Sequence, residues 1–241
     1  MINVYADPRE LCLAAAELFT SQALTAISKR GDFRVALSGG STPRQLYEEL
    51  AKPFWRDRIN WEKVLIFWGD ERHVPAGDAL SNQNMTRKAL LDHIPIPAGN
   101  IFPIPFAESA DAAARQYETT LHKLFPDLPV FDLVLLGLGE DGHTASLFPG
   151  NKVLKEQTRW VCSARPLSGG PERVTLTYPV INQAASICFL VTGSNKAGIV
   201  RQIMEGNGSA VSYPAQKISP VNGQLTWLLD QAAAACLESP K

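Results

Sequence analysis

Between Phe131 and Leu136 the chain reads Phe-Asp-Leu-Val-Leu-Leu, then breaks at Gly137-Leu138-Gly139-Glu140-Asp141-Gly142-His143 into three glycines, two carboxylates and a histidine. A short, almost wholly apolar run fits a strand covered on both faces, which is the setting of a parallel sheet. The runs 33–37 and 186–191 behave alike: the first ends in Ser38-Gly39-Gly40-Ser41-Thr42-Pro43, the second in Thr192-Gly193-Ser194-Asn195-Lys196. In open α/β sheets binding and catalytic groups gather where the carboxyl ends of strands run into loops, so these three exits are expected to face one crevice.

Helical signals fill the intervals. Asp7-Pro8 supplies an N-cap and a first-turn proline, and Leu11, Ala14, Ala15 and Leu18 keep helical spacing toward Gly31. Helices are expected over 44–50, 82–91, 109–125 and 196–204, a short one after Tyr178-Pro179, and an alanine-rich stretch over 230–236. Further strands are expected over 63–68, 159–163, 173–177 and 225–229, and after His143 there is room for only about two helical turns before Pro149-Gly150. No linker, repeat or low-complexity tract divides residues 1–241, so the expected fold class is a single α/β domain, a mainly parallel sheet with helices on both faces.

Charge is balanced at 23 Lys+Arg against 24 Asp+Glu, without a basic block, which argues against nucleic acid or a membrane surface as partner. The start of the chain lacks a signal-peptide pattern and no apolar run is read as a membrane span, so a cytoplasmic protein is expected. Cys12, Cys162, Cys188 and Cys236 form no C-x-x-C pair, and His73, His93, His122 and His143 show no metal-ligand spacing. A metal-free site is expected.

Ser38 to Pro43 has the makings of a phosphate cradle: Gly39 and Gly40 let backbone approach an anion, and Ser41 and Thr42 bring donors to a helix start. Alternatively the glycines only turn the chain and Thr42 caps the helix. Lys196 could add a point charge to the same anion or simply be solvated, and Arg173 is a further candidate for binding the substrate's anion, or only a surface residue. Asp70, Glu71 and Arg72 at another strand exit offer an acid, an orienting carboxylate and an anion clamp, or a solvated loop.

The run 137–142 matches G-x-G-x-x-G, yet Glu140 and Asp141 would set negative charge where a pyrophosphate should lie, so a dinucleotide site is not expected. Instead, Asp141 two residues before His143 allows a carboxylate to orient an imidazole for general-base work. There is no G-x-S-x-G and no H-E-x-x-H.

Together, Leu37-Ser38-Gly39-Gly40-Ser41-Thr42-Pro43, Trp68-Gly69-Asp70-Glu71-Arg72, the stretch from Gly137 through Asp141-Gly142-His143-Thr144-Ala145-Ser146-Leu147-Phe148-Pro149, Arg173-Val174-Thr175-Leu176-Thr177 and Trp227-Leu228-Leu229-Asp230 resemble the 6-phosphogluconolactonase members of the glucosamine-6-phosphate isomerase/6-phosphogluconolactonase family. The resemblance implies the fold of the glucosamine-6-phosphate deaminases and ribose-5-phosphate isomerases, and hydrolysis of 6-phosphogluconolactone to 6-phosphogluconate in the oxidative pentose phosphate pathway. It implies His143 as base, with Ser41, Thr42, Arg72 and Lys196 around the substrate's anion, and no cofactor. Asp70 is assigned to positioning Arg72 or a sugar hydroxyl, and a monomer acting on a small sugar-phosphate lactone is expected.

Two rivals stand beside it. An amino-sugar-phosphate deaminase or sugar-phosphate isomerase would carry a glutamate before the proline where this chain has Phe148, and a tyrosine where it has Arg72. A non-catalytic sugar-phosphate sensor would bring a basic DNA-binding segment, which is not seen.

Overall fold

A computed structural model of the chain describes residues 1–167, 169–206 and 213–238. In chain order its strands are β1 (Ile2–Tyr5), β2 (Phe33–Leu37), β3 (Val64–Trp68), β4 (Asp70–Arg72), β5 (Leu133–Leu136), β6 (Val161–Ala164), β7 (Arg173–Leu176), β8 (Ser186–Val191) and β9 (Gln224–Asp230). Its helices are α1 (Pro8–Arg30), α2 (Ser41–Leu50), α3 (Pro53–Arg56), α4 (Asn82–Ala89), α5 (Ala110–Leu124), α6 (Tyr178–Asn182), α7 (Ala197–Glu205) and α8 (Gln231–Ala234).

The main sheet runs β1-β9-β8-β5-β2-β3 with every neighbouring pair parallel, as the apolar runs demand. All of β5 and all of β8 is buried, so both faces of the sheet's centre are covered. Phe189 and Trp227, register partners on β8 and β9, stack with ring centres 3.7 Å apart. Phe67, Phe102, Phe125 and Phe131 make a second aromatic cluster near the other edge.

Four features depart from the sequence reading. β1 was not expected: at four residues its alternation is too short to read, and its pairing partner β9 lies at the far end of the chain. A three-stranded antiparallel sheet, β4-β7-β6, stands beside the parallel one, and residues 70–72 are a strand of it and not a loop. No helix follows His143; the segment is a turn closed by the Thr144–Leu147 bridge, with Ala145 at φ +47°.

The fourth concerns the membrane. By length and composition α1 does reach what a membrane span requires, contrary to the expectation that no apolar run would. In this fold Leu11, Cys12, Ala15, Ala16, Phe19 and Ala23 of α1 are buried, and the helix packs on β1, β2, β9 and α2, which makes it a core helix.

Two fully buried tyrosines finish the ladder where strands end. Tyr47 accepts from the Ser38 amide (3.0 Å) and donates to the Ser38 carbonyl (2.7 Å), just past β2. Tyr117 accepts from the Trp68 amide (3.1 Å) and donates to the Trp68 carbonyl (3.2 Å) at the end of β3. Burial pushes the Tyr117 and Tyr47 phenols far up, so both keep the proton they donate. Replacing Tyr117 by Phe leaves a buried amide and a buried carbonyl without partners, and urea unfolding should show a loss of about 1–3 kcal/mol.

Candidate active site

The exits of β2, β3, β5 and β8 converge, as the sequence implied, on one cleft of about 270 Å³. Its walls include Ser38 to Pro43, Asp70, Arg72, Asn82, Gly137 to Gly139, His143, Ala145, Thr192 and Lys196. Of the residues singled out from sequence, Gly39, Gly40, Ser41, Thr42, Asp70, Arg72, His143 and Lys196 line it; Asp141 stands against His143, and Arg173 does not line it.

The glycine-rich turn meets the backbone demands of an anion cradle. Gly40 sits at φ +110° as the N-cap of α2, a conformation that L side chains rarely adopt, and no side chain caps the helix. Thr42 is not the cap considered above: it lies inside the first turn, and its hydroxyl hydrogen-bonds the Thr192 hydroxyl at 2.7 Å. The first-turn amides therefore remain without a side-chain acceptor, the arrangement that suits a bound anion. Gly39 is needed for a different reason, since a Cβ there would lie 1.8 Å from Asn82 Oδ1.

His143 is held by Asp141. The carboxylate Oδ1 accepts from ring Nδ1 at 2.5 Å and from the His143 amide at 3.1 Å, and the His143 carbonyl accepts from the Gly139 amide at 2.8 Å. Burial alone would raise the Asp141 carboxyl, but the hydrogen bond and charge of the imidazole and the amide outweigh it and hold it below the usual carboxylate value. A proton on Nδ1 leaves Nε2 with its lone pair, and Nε2 has no hydrogen-bond partner among the described residues. The Phe148 ring packs on the imidazole at 4.7 Å and restricts its rotation. Gly139 makes the room: a Cβ there would stand 2.0 Å from His143 Nδ1 and 2.7 Å from Asp141 Oδ1.

β4 explains the acidic-basic trio. Successive side chains of a strand face opposite ways, so Asp70 and Arg72 turn to the cleft and Glu71 turns away. Buried Glu71 accepts from the Arg72, Asn82 and Gln83 amides and the Ser81 hydroxyl at 2.7–2.8 Å, anchoring the start of α4. Its burial raises its carboxyl, and those four hydrogen bonds only partly offset that. Asp70 does not contact Arg72 through its carboxylate; it accepts from the Ser146 hydroxyl at 2.6 Å, while Arg72 Nη1 donates to the Leu80 carbonyl at 2.6 Å.

Arg173 is the register partner of Arg72 across β4 and β7 and donates to the Pro171 carbonyl at 2.6 Å. Burial first, then the neighbouring Arg72 charge, lowers its guanidinium, with Asp70 and Glu71 acting the other way. Among the described residues Arg72, Arg173 and Lys196 form no ion pairs. Also among the described residues, no group of three or more His, Cys, Asp or Glu converges as a metal site.

Sequence reasoning missed Asn82 and Thr192 as cleft residues. Thr192 carried a signal, a hydroxyl directly after a buried strand. Asn82 carried none, because its neighbours Gly39 and Asp70 come from other elements.

A fold and cleft of this kind define an open α/β protein with its candidate site where the parallel strands end. The model of the glucosamine-6-phosphate isomerases/6-phosphogluconolactonase family matches residues 6–227, and the chain belongs to that family. It is 42% identical to a Synechocystis protein named 6-phosphogluconolactonase, over 96% of both chains. The solved 6-phosphogluconolactonase of Trypanosoma cruzi superposes with a TM-score of 0.88 at 32% identity, covering 99% of this chain and 97% of that one. A monomeric glucosamine-6-phosphate deaminase shares the fold, with a TM-score of 0.81 at 23% identity and coverage of 98% and 99%.

Two outcomes follow from this geometry. Gly139→Ala forces the imidazole off its carboxylate, and turnover should fall by about 10²-fold while circular dichroism stays unchanged. The depressed Asp141 carboxyl means that its contribution to stability is present above the ordinary carboxylate value near 3.9 and is lost as pH falls through its own lower value. The stability gap between the wild type and Asp141→Asn, measured by urea unfolding, should accordingly be open at pH 6 and close toward pH 2.

Proposed function

We propose that the chain hydrolyses 6-phosphogluconolactone to 6-phosphogluconate, with His143 as the base that activates water against the lactone carbonyl. The observation that carries this reading is the Asp141–His143 pair, which leaves Nε2 without a partner among the described residues, in a cleft with a helix start that no side chain caps. The names of full-length relatives support the same substrate.

Each group then has a part. The amides and hydroxyls of Gly39 to Thr42, with Lys196, grip the phosphate. Nε2 takes a proton from water as its oxygen bonds C1, and the carbonyl oxygen gains negative charge that Arg72 stabilises, with Arg173 adding to the local field. Breaking the bond from C1 to the ring oxygen then needs a proton on that oxygen, and the imidazolium returns the one it took. Asp141 holds the ring in place; a positioned base of this kind contributes about 10²–10⁴-fold. A lactone carbonyl is already electrophilic, so held substrate, oriented water and one base suffice.

A deaminase or isomerase reading is not favoured. The position before Pro149, where the family resemblance places a glutamate in deaminases, holds Phe148, and its ring lies on His143.

Stopped-flow hydrolysis of freshly generated 6-phosphogluconolactone at slightly acid pH, where the background is slow, tests the proposal. The wild type should accelerate the reaction and His143→Ala should lower kcat by about 10²-fold or more. No acceleration, together with ammonia release from glucosamine 6-phosphate, would reverse the assignment.

A further inference from the structure

Asp230 ends β9 and is 2% exposed, yet it lines no part of the cleft. Its carboxylate receives the Gly193 amide on both oxygens, at 3.1 Å each, and the Ala233 amide on Oδ1 at 2.7 Å. Among the described residues no Lys, Arg or His pairs with it. A buried carboxylate without a cation is costly unless amides satisfy it, so these two amide donors define its place.

One of them belongs to the loop that carries Thr192 and Lys196 into the cleft. Gly193 stands at φ +99°, turning the chain between β8 and the 3-10 turn Ser194–Lys196, whose last amide donates back to the Gly193 carbonyl at 3.0 Å. The loop touches the rest of the site at two further points: Thr192 on Thr42, and Asn195 Nδ2 on Glu140 Oε1 at 2.6 Å. Its root, however, is the Gly193 amide.

We infer that Asp230 is a positioning residue for phosphate binding, fixing the Gly193 amide so that Thr192 and Lys196 stand opposite the glycine-rich turn. The inference rests on the reading of Lys196 as a phosphate ligand given above. It separates the loop that holds substrate from the loop that performs chemistry, so its loss should appear in binding and spare the chemical step.

Asp230→Ser tests this, because a serine still caps α8 but is too short to reach Gly193 as well. It should raise KM for 6-phosphogluconolactone, and the inhibition constant of inorganic phosphate, about tenfold each, with kcat within about twofold of the wild type. Asp230→Asn keeps an oxygen at the Oδ1 position, where the Gly193 and Ala233 amides both donate, and should restore KM to within about threefold. Thermal unfolding of both variants checks the fold. Wild-type KM in a folded Asp230→Ser protein, or a fall in kcat at constant KM, overturns the inference. Lys196→Ala separates it from the reading beneath: if that variant leaves KM unchanged, Lys196 does not hold phosphate, whereas a raised KM there with normal Asp230→Ser kinetics removes Asp230 alone.

Discussion

A strand buried on both faces can place polar side chains only at its ends, and that constraint shapes this molecule. β5 and β8 are buried throughout, so the chain cannot present a histidine or a lysine until each strand has stopped. Where the ladder stops, backbone groups lose their partners, and the protein meets that cost in two ways. Beneath the cleft the hydroxyls of Tyr47 and Tyr117 close off the backbone of Ser38 and Trp68. At its surface the first amides of α2 are left open.

The second, smaller sheet does more than extend the fold. Through β4 it sets Asp70 and Arg72 into the cleft, and through Asp70 and Thr175 it fastens Ser146, whose hydroxyl and amide they receive at 2.6 and 3.2 Å. Ser146 follows Ala145, the one non-glycine residue at positive φ among the described residues, and lies three positions after His143. Both sheets thus define the histidine's loop: β5 delivers it, and the antiparallel sheet holds its far side. Gly139 completes the fit by leaving space for the imidazole beside its carboxylate.

Much of this was legible in the residues. The parallel sheet followed from unbroken apolar runs, and the cleft's main contributors from glycines, hydroxyls and charges placed directly after them. What escaped was set by contacts distant in sequence. β1 is a strand because β9 pairs with it, and 70–72 is a strand because β7 does. Neither carries a periodic signal of its own in three or four residues. The turn after His143 looked helical because Thr144 and Ser146 gave no hint that their hydroxyls would bond Gly137 and Asp70 instead. α1 shows the reverse: its composition equally suits a membrane, and only its burial against the sheet marks it as core.

The account turns on one proton. Asp141 is held to fix His143 as the tautomer with hydrogen on Nδ1, leaving Nε2 free to take a proton from water. Long-range ¹H–¹⁵N correlation spectra of the imidazole, recorded on ring-labelled protein at a pH where His143 is neutral, report this directly. The account predicts a protonated Nδ1 and a bare Nε2 in the wild type, with that preference weakened in Asp141→Asn. A wild-type spectrum with the proton on Nε2 would contradict it.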